Sequence, residues 1–279
     1  MKLTPRYGEP CLLEVEPSLV PDPATPTVRQ RARLQERLAH LDEDQWSAPT
    51  RCDGWSVQDV VSHLVSTNQF WAFSISQGLA GEPTRFLVDF DPVASPAELV
   101  QASRSQSAAE TFEAFRASND ALAALLGSID GAQWDRPGEA PPGHLALRLV
   151  ALHALWDGWI HERDVLLPLG LPADEESDEV AATLTYAVAL GPAFLASSGS
   201  TREGVLEVRA DDPGTRLVLE LGATVRVHDG ASPAGTPCLR GDAVELIEGL
   251  SFRAPLTADL ADGDRWLLGS LGEVFDVPS

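Results

Sequence analysis

His153-Ala-Leu-Trp-Asp157-Gly-Trp-Ile-His161-Glu-Arg-Asp164 is the stretch on which the fold of this 279-residue chain turns. It lies late in an apolar run that begins at about His144. Leu145, Leu147, Leu149, Val150, Leu152, Leu155, Trp156, Trp159, Ile160, Val165 and Leu166 recur there at three- and four-residue intervals. That recurrence predicts a helix facing a core. Residues four apart stand one turn up the same helix face, so His153, Asp157 and His161 form one polar stripe bordered by tryptophans. Two such neighbours can reach a single cation, as the histidines of an H-E-x-x-H helix do. A local Asp–His hydrogen bond on a helix surface would use the same residues. His63, among Val60, Val61, Leu64 and Val65, is the third candidate ligand; its alternative role is a satisfied core histidine.

Composition narrows the function. The net charge is −22, which argues against a nucleic-acid backbone or an anionic membrane as partner, because both need a basic surface. Lys2 is the only lysine, and with the abundance of Ala, Gly and Pro this reads as the product of a GC-rich genome. Cys11, Cys52 and Cys238 are far apart and show no C-x-x-C spacing, so neither a disulfide framework nor a thiolate zinc site is expected. There is no basic start followed by an apolar segment and no run of eighteen apolar residues, so a cytoplasmic protein is expected.

Around the central stretch, residues 1–26 carry six prolines and read as an extended arm. Residues 27–40 read as a helix with Thr27 as N-cap, and 57 to about 79 as a second helix capped by Ser56. Ser95-Pro96 is read as opening a third helix that runs to about 126. Residues 130–143 read as a loop, Gly170 as the end of the central helix, and 177–196 as a further helix. Such helices give an antiparallel four-helix bundle, whose core is a usual place for metals. After Ser200 the period changes to two: 204–210, 216–221 and 224–228 read as strands, 241–249 and 262–271 as short helices. The expected fold is mixed, a bundle over 27–200 and a small α+β domain over 201–279.

Trp46-Ser-Ala-Pro-Thr-Arg-Cys-Asp-Gly-Trp55-Ser-Val-Gln-Asp59-Val-Val-Ser-His63-Leu resembles the pattern that opens the bundle of the DinB-like, mycothiol-dependent maleylpyruvate isomerase superfamily. Asp157-Gly-Trp-Ile-His161-Glu-Arg-Asp164 resembles that family's carboxylate-x-x-x-His-x-x-Asp segment. The tail, with Gly241-Asp-Ala-Val-Glu-Leu and Arg253 in order, resembles its sterol-carrier-like C-terminal domain. The resemblance covers about residues 27–279. It implies a divalent metal, usually zinc, held by His63, Asp157 and His161, and mycothiol as co-substrate. Two imidazoles and one carboxylate leave a net positive site with an open position, the catalytic kind of zinc site. A thiol entering that position would be deprotonated.

The family usually has Glu where Asp157 stands, and the shorter arm would draw the metal toward the helix or leave the site degenerate. His153, one turn earlier, is then the candidate for a supporting hydrogen bond or a substitute ligand. Asp164 is read as stabilising the helix or orienting His161, and Cys52 as having no catalytic role. His144 and His228 have no partner identifiable from sequence. Arg253 is the candidate for substrate or thiol binding from the smaller domain, since a guanidinium can hold a carboxylate with two parallel hydrogen bonds; a salt bridge to an acidic neighbour is its other reading. The leading expectation is an enzyme that activates mycothiol against an electrophilic small molecule, with S-transfer ahead of cis-trans isomerisation. A non-catalytic small-ligand-binding protein with a vestigial metal site is the competing class.

Overall fold

The structure is a computed structural model that describes residues 4–8, 11–257, 260–269 and 271–274. Its helices in the first two-thirds are α1 (Ala24–Leu38), α2 (Glu43–Trp46), α3 (Val57–Ala80), α4 (Ala94–Ser103), α5 (Ala108–Leu126), α6 (Leu147–Leu166) and α7 (Ser177–Ser197). The bundle is α1, α3, α5 and α6. Local chemistry sets the helix starts. Ser56 Oγ accepts from Asp59 N while the Asp59 carboxylate accepts from Ser56 N, a reciprocal cap that fixes the first turn of α3. Gly81, with φ of 82°, closes that helix in the left-handed conformation.

Three expectations change here. The helix expected over 95–126 is two helices: the chain breaks after Ser103, and Ser107 with Glu110 forms a second reciprocal cap that opens α5. The first helix begins at Ala24, where Asp22 accepts from Ala24 N and Thr25 N. Thr27 lies inside that helix, its hydroxyl donating to Pro23 O. The run from His144 is not all helix either. Strands β2 (Pro137–Ala140) and β3 (Gly143–Ala146), numbered after β1 (Leu13–Val15), pair as an antiparallel hairpin before α6 begins. The hairpin's Glu139 is fully buried. It accepts from Tyr7 Oη, Thr84 Oγ1, Phe86 N and Leu87 N, which pins the 81–95 connection.

The remaining strands are β4 (Gly204–Asp211), β5 (Thr215–Leu221), β6 (Val225–His228) and β7 (Cys238–Asp242), in a five-stranded sheet of order β1-β6-β5-β4-β7. β4, β5 and β6 form a meander, and β7 runs parallel to β4. β1 runs parallel to β6 with Leu13 opposite Val225, so residues of the proline-rich N-terminal segment complete the C-terminal sheet. The segment 241–249 is the end of β7 followed by helix α8 (Ala243–Leu250), capped by Asp242. Residues 262–268 form a 3-10 helix and Leu271–Val274 a separate short α9, where one helix was expected.

Helix α7 is, among the described residues, the one long and apolar enough to cross a membrane by length and composition, and its apolar window is 83% buried. It packs on α6 and α1 on one side and on α8, β5 and β6 on the other, as a core helix does. One apolar core therefore runs from Val15 through Leu152, Trp159, Leu184 and Leu190 to Leu217, Leu219 and Ile247. A smaller core, with Leu34, Val60, Leu64, Phe115 and Val165, fills the other end of the bundle.

Candidate metal centre

His63 stands in the second turn of α3, and Asp157 and His161 stand one turn apart on the neighbouring α6. His63 Nε2 and His161 Nε2 each lie 3.6 Å from Asp157 Oδ1. The imidazole centroids are 4.9 Å apart at 76°, and the three donor atoms lie within 4.8 Å of one another. Two donors bound to one tetrahedral zinc at about 2.0–2.2 Å stand about 3.4 Å apart, so both gaps have the width such a cation spans. Asp157 Oδ2 is buried with no hydrogen-bond partner. An orphaned buried carboxylate oxygen is expensive, and a cation would relieve it. The three residues fit a divalent metal, and the short arm of Asp157 leaves it within reach of both imidazoles.

The hydrogen bonds behind the ligands fix their tautomer. Asp164 Oδ2 lies 3.0 Å from His161 Nδ1, which holds a ring proton there and makes Nε2, facing Asp157, the nitrogen a metal would take once its own proton is displaced. Asp164 is fully buried and is itself gripped from several sides. Arg51 Nε donates at 2.9 Å, Arg253 Nε and Nη2 at 2.8–3.0 Å, and the Cys52 thiol at 3.2 Å. Arg51 reaches on to Glu248 of α8 at 2.7 and 3.1 Å, and Glu248 also receives Arg163 Nε at 2.6 Å. A chain of charges thus runs from α8 to the ring of His161.

The stripe read from the sequence divides at His153. Its Nδ1 lies 2.7 Å from Tyr186 Oη, and its ring packs on Trp71 and Trp156. No hydrogen bond joins it to Asp157, whose Oδ2 stays unpartnered, and it is not among the grouped donors. Burial lowers its pKa to about 4, so the ring is neutral. Arg253 does lie at the edge of the cluster, but its guanidinium is paired with Asp164. Cys52, His161 and Asp164 form a second trio of possible donors. The two guanidiniums on Asp164 repel a cation there, so we favour the set with the orphaned oxygen. His144 Nε2 bonds Thr84 O, 60 positions away, and His228 Nδ1 accepts from Gly230 N; neither is among the grouped donors.

Arg51, Glu248 and Arg31 are the participants that sequence reading missed. The available signal was charge inside apolar helices, as in Leu246-Ile247-Glu248-Gly249, which marks a buried pair. Arg31 is 3% exposed and bonds Asn68 Oδ1, Gln30 Oε1 and Ala154 O. A Cβ on Gly158 would meet its guanidinium, so a larger residue at this position of α6 would force the buried Arg31 to shift.

Charge states follow from the same contacts. Burial lowers the pKa of His63, and Asp157 only partly offsets this, so His63 is neutral at pH 7. Burial opposes ionisation of Asp157, but His63, His161 and Arg31 together hold it well below the usual carboxylate range. Burial would also lower His161, yet Asp164, Cys52 and Asp157 push it up to about 10. Without metal, His161 is therefore protonated at pH 7. Its stabilising contribution is complete below its unfolded value of about 6.5 and is lost as pH rises through about 10. Metal must displace that proton, so affinity should rise about tenfold per pH unit from 7 toward 10. Calorimetry of zinc binding at pH 8 in buffers of different ionisation enthalpy should show about one proton released; zero release would mean a neutral His161.

A helix bundle that gathers two imidazoles and a carboxylate, followed by a strand-rich part, defines a bundle protein with a candidate metal centre and an appended α+β part. Residues 28–166 match the family model described as "Mycothiol maleylpyruvate isomerase N-terminal domain". Over these residues the chain carries that family's N-terminal domain. The crystal structure of the mycothiol-dependent maleylpyruvate isomerase is similar at 15% identity, with 84% of this chain and 89% of that chain covered and a TM-score of 0.59. A histidine-to-alanine variant of that isomerase is similar at 14% identity, with the same coverage and TM-score. At such identities the likeness speaks for the fold, helices first and a sheet after, which is the mixed class expected from the sequence. No curated protein matches the chain in sequence.

Proposed function

We propose that the protein is a mycothiol-dependent enzyme that joins the thiol to an electrophilic small molecule, with His63, Asp157 and His161 as its metal ligands. The observation that carries the reading is the convergence of two imidazole Nε2 atoms on a buried carboxylate that has one oxygen unpartnered. A divalent metal held there, zinc by the chemistry of the donor set, supplies positive charge that lowers the pKa of a thiol beside it. The chain's own residues do the rest. Asp164 holds a ring proton of His161 on Nδ1 and so assigns Nε2 to the metal. Asp157 stays ionised across the working pH range, and Trp55 packs against the His63 ring with centroids 5.4 Å apart. Cis-trans isomerisation of the maleylpyruvate type is the second reading, favoured by what the similar structure's name says of that protein.

The nucleophile in this reading is the added thiol. A Cys11→Ser, Cys52→Ser, Cys238→Ser triple variant should therefore consume mycothiol and electrophile as the parent does, because a hydroxyl at position 52 can still donate to Asp164. Chelation of the metal should stop turnover. If Cys52→Ser alone abolishes activity with metal content and melting unchanged, the nucleophile is the protein's thiol and the reading fails.

A further inference from the structure

Charges and aromatic rings are distributed unequally around the ligand cluster. Four guanidiniums lie near it, and each is already committed. Arg31 is held by Asn68, Gln30 and Ala154 O. Arg51 is shared between Asp164 and Glu248, and Arg163 between Glu248 and Glu175. Arg253 places Nε and Nη2 on Asp164 and Nη1 3.5 Å from Ser251 O. Freeing Arg253 for a ligand would weaken the pairing of a fully buried carboxylate, which is strongly unfavourable. No lysine is present among the described residues.

Aromatic surface is what remains. Trp156 precedes Asp157 on α6 and is only partly buried, and its Nε1 donates to Ser251 Oγ at 3.0 Å. The next residue, Phe252, is 41% exposed. Its φ is 57°, a left-handed conformation that a bulky side chain rarely adopts and that a fold keeps only where its surroundings enforce it. The enforcement is visible: Ser251 is tied to Trp156 on one side and Arg253 to Asp164 on the other. The backbone of Phe252 thus lies between a residue tied to Trp156 and one tied to Asp164, the two positions of α6 that bracket Asp157 and His161. Phe70, partly buried, lies two turns from His63 on the same face of α3.

We propose that the site selects an uncharged electrophile bearing an aromatic or similarly flat apolar group, seated against Trp156 and Phe252 with its reactive carbon toward the ligand cluster. This rests on the metal-and-thiol reading above and narrows it. Apart from the metal itself, which the thiol would occupy, an acidic substrate would find only guanidiniums that already have partners, beside a chain of net charge −22. The same reasoning suits a thiol without carboxylates, as mycothiol is, over glutathione, which carries two.

A matched pair of probes tests this: 4-nitrobenzyl chloride and 4-(chloromethyl)benzoate, with the same ring and the same leaving group. In each the sulfur forms the new C–S bond, chloride leaves with the electron pair of the C–Cl bond, and the thiol's proton goes to buffer. With zinc-loaded protein and mycothiol, and after subtraction of the uncatalysed rate, kcat/KM should favour the neutral probe by about tenfold or more. Phe252→Ala should raise KM for the neutral probe by about tenfold, leaving metal content unchanged. Binding of the unreactive analogues 4-nitrotoluene and 4-methylbenzoate, followed by NMR, should show the same order of preference without any turnover. Preference for the carboxylate in either assay, or an unchanged KM in Phe252→Ala, overturns the assignment. Failure of the thiol reading shows itself separately, as neutral-analogue binding with no mycothiol consumption from either probe.

Discussion

Asp164→Ala is expected to be the most damaging single substitution near the site, lowering stability by about 3–5 kcal/mol, because it leaves largely buried guanidiniums without their carboxylate. Four side chains converge on this one acid: Arg51, Arg253, His161 and Cys52. Its ionised form is strongly favoured in the fold; burial opposes the charge, but His161 and Arg253 overcome this and hold the carboxyl well below its ordinary range. The group therefore contributes stability above the unfolded carboxylate range, and that contribution disappears as pH falls through the depressed folded value. Loss of the acid also releases the His161 ring, and loss of such an orienting partner lowers metal affinity by about 10–100-fold. Urea unfolding and competition with a zinc chelator read the two effects separately. A variant with reduced stability but parental zinc affinity would show that Asp164 braces the fold without orienting the ligand.

Removal of everything after residue 200 is expected to abolish cooperative folding. Helix α7 is buried nearly all round, with Val188, Leu190 and Ala193 in a core that continues into Leu217, Leu219 and Leu246. Truncation would expose that face and strip β1 of its partner β6. Exposing each large apolar side chain costs about 1.5–3 kcal/mol, which a handful of residues turns into more than the whole stability of an ordinary domain. Circular dichroism melting and amide dispersion in NMR would check this. A truncated chain with a sharp melt and full zinc affinity would show that residues 27–200 stand alone as a bundle.

What the sequence disclosed was local. The N-cap at Ser56, the four-residue spacing of Asp157 and His161, and the alternation in 204–228 each depend on neighbours within a few residues. Those features emerge in the structure close to where they were expected. The helix break before Ser107 was also local, and Ser107-Ala-Ala-Glu110 carried its signal, but no proline or glycine marks it. The β2–β3 hairpin left less trace, since four-residue strands buried on both faces show no alternation. The partners of Asp164 left none, because Arg253 lies 89 positions away and Arg51 lies 113 away in the opposite direction. The turn of His153 toward Tyr186 has the same origin: helix spacing says which residues share a face, and the packing of α7 against α6 decides which of them meets the cluster.

The account's central claim is that His63, Asp157 and His161 hold a divalent metal at which an added thiol binds. Absorption spectroscopy of the cobalt(II)-loaded protein titrated with mycothiol tests it most directly, because sulfur bound to cobalt gives an intense ultraviolet charge-transfer band. The account predicts a band that saturates at about one mycothiol per chain and is missing from His63→Ala and Asp157→Ala. A protein that takes up no cobalt, or a cobalt spectrum unaffected by mycothiol, would contradict it.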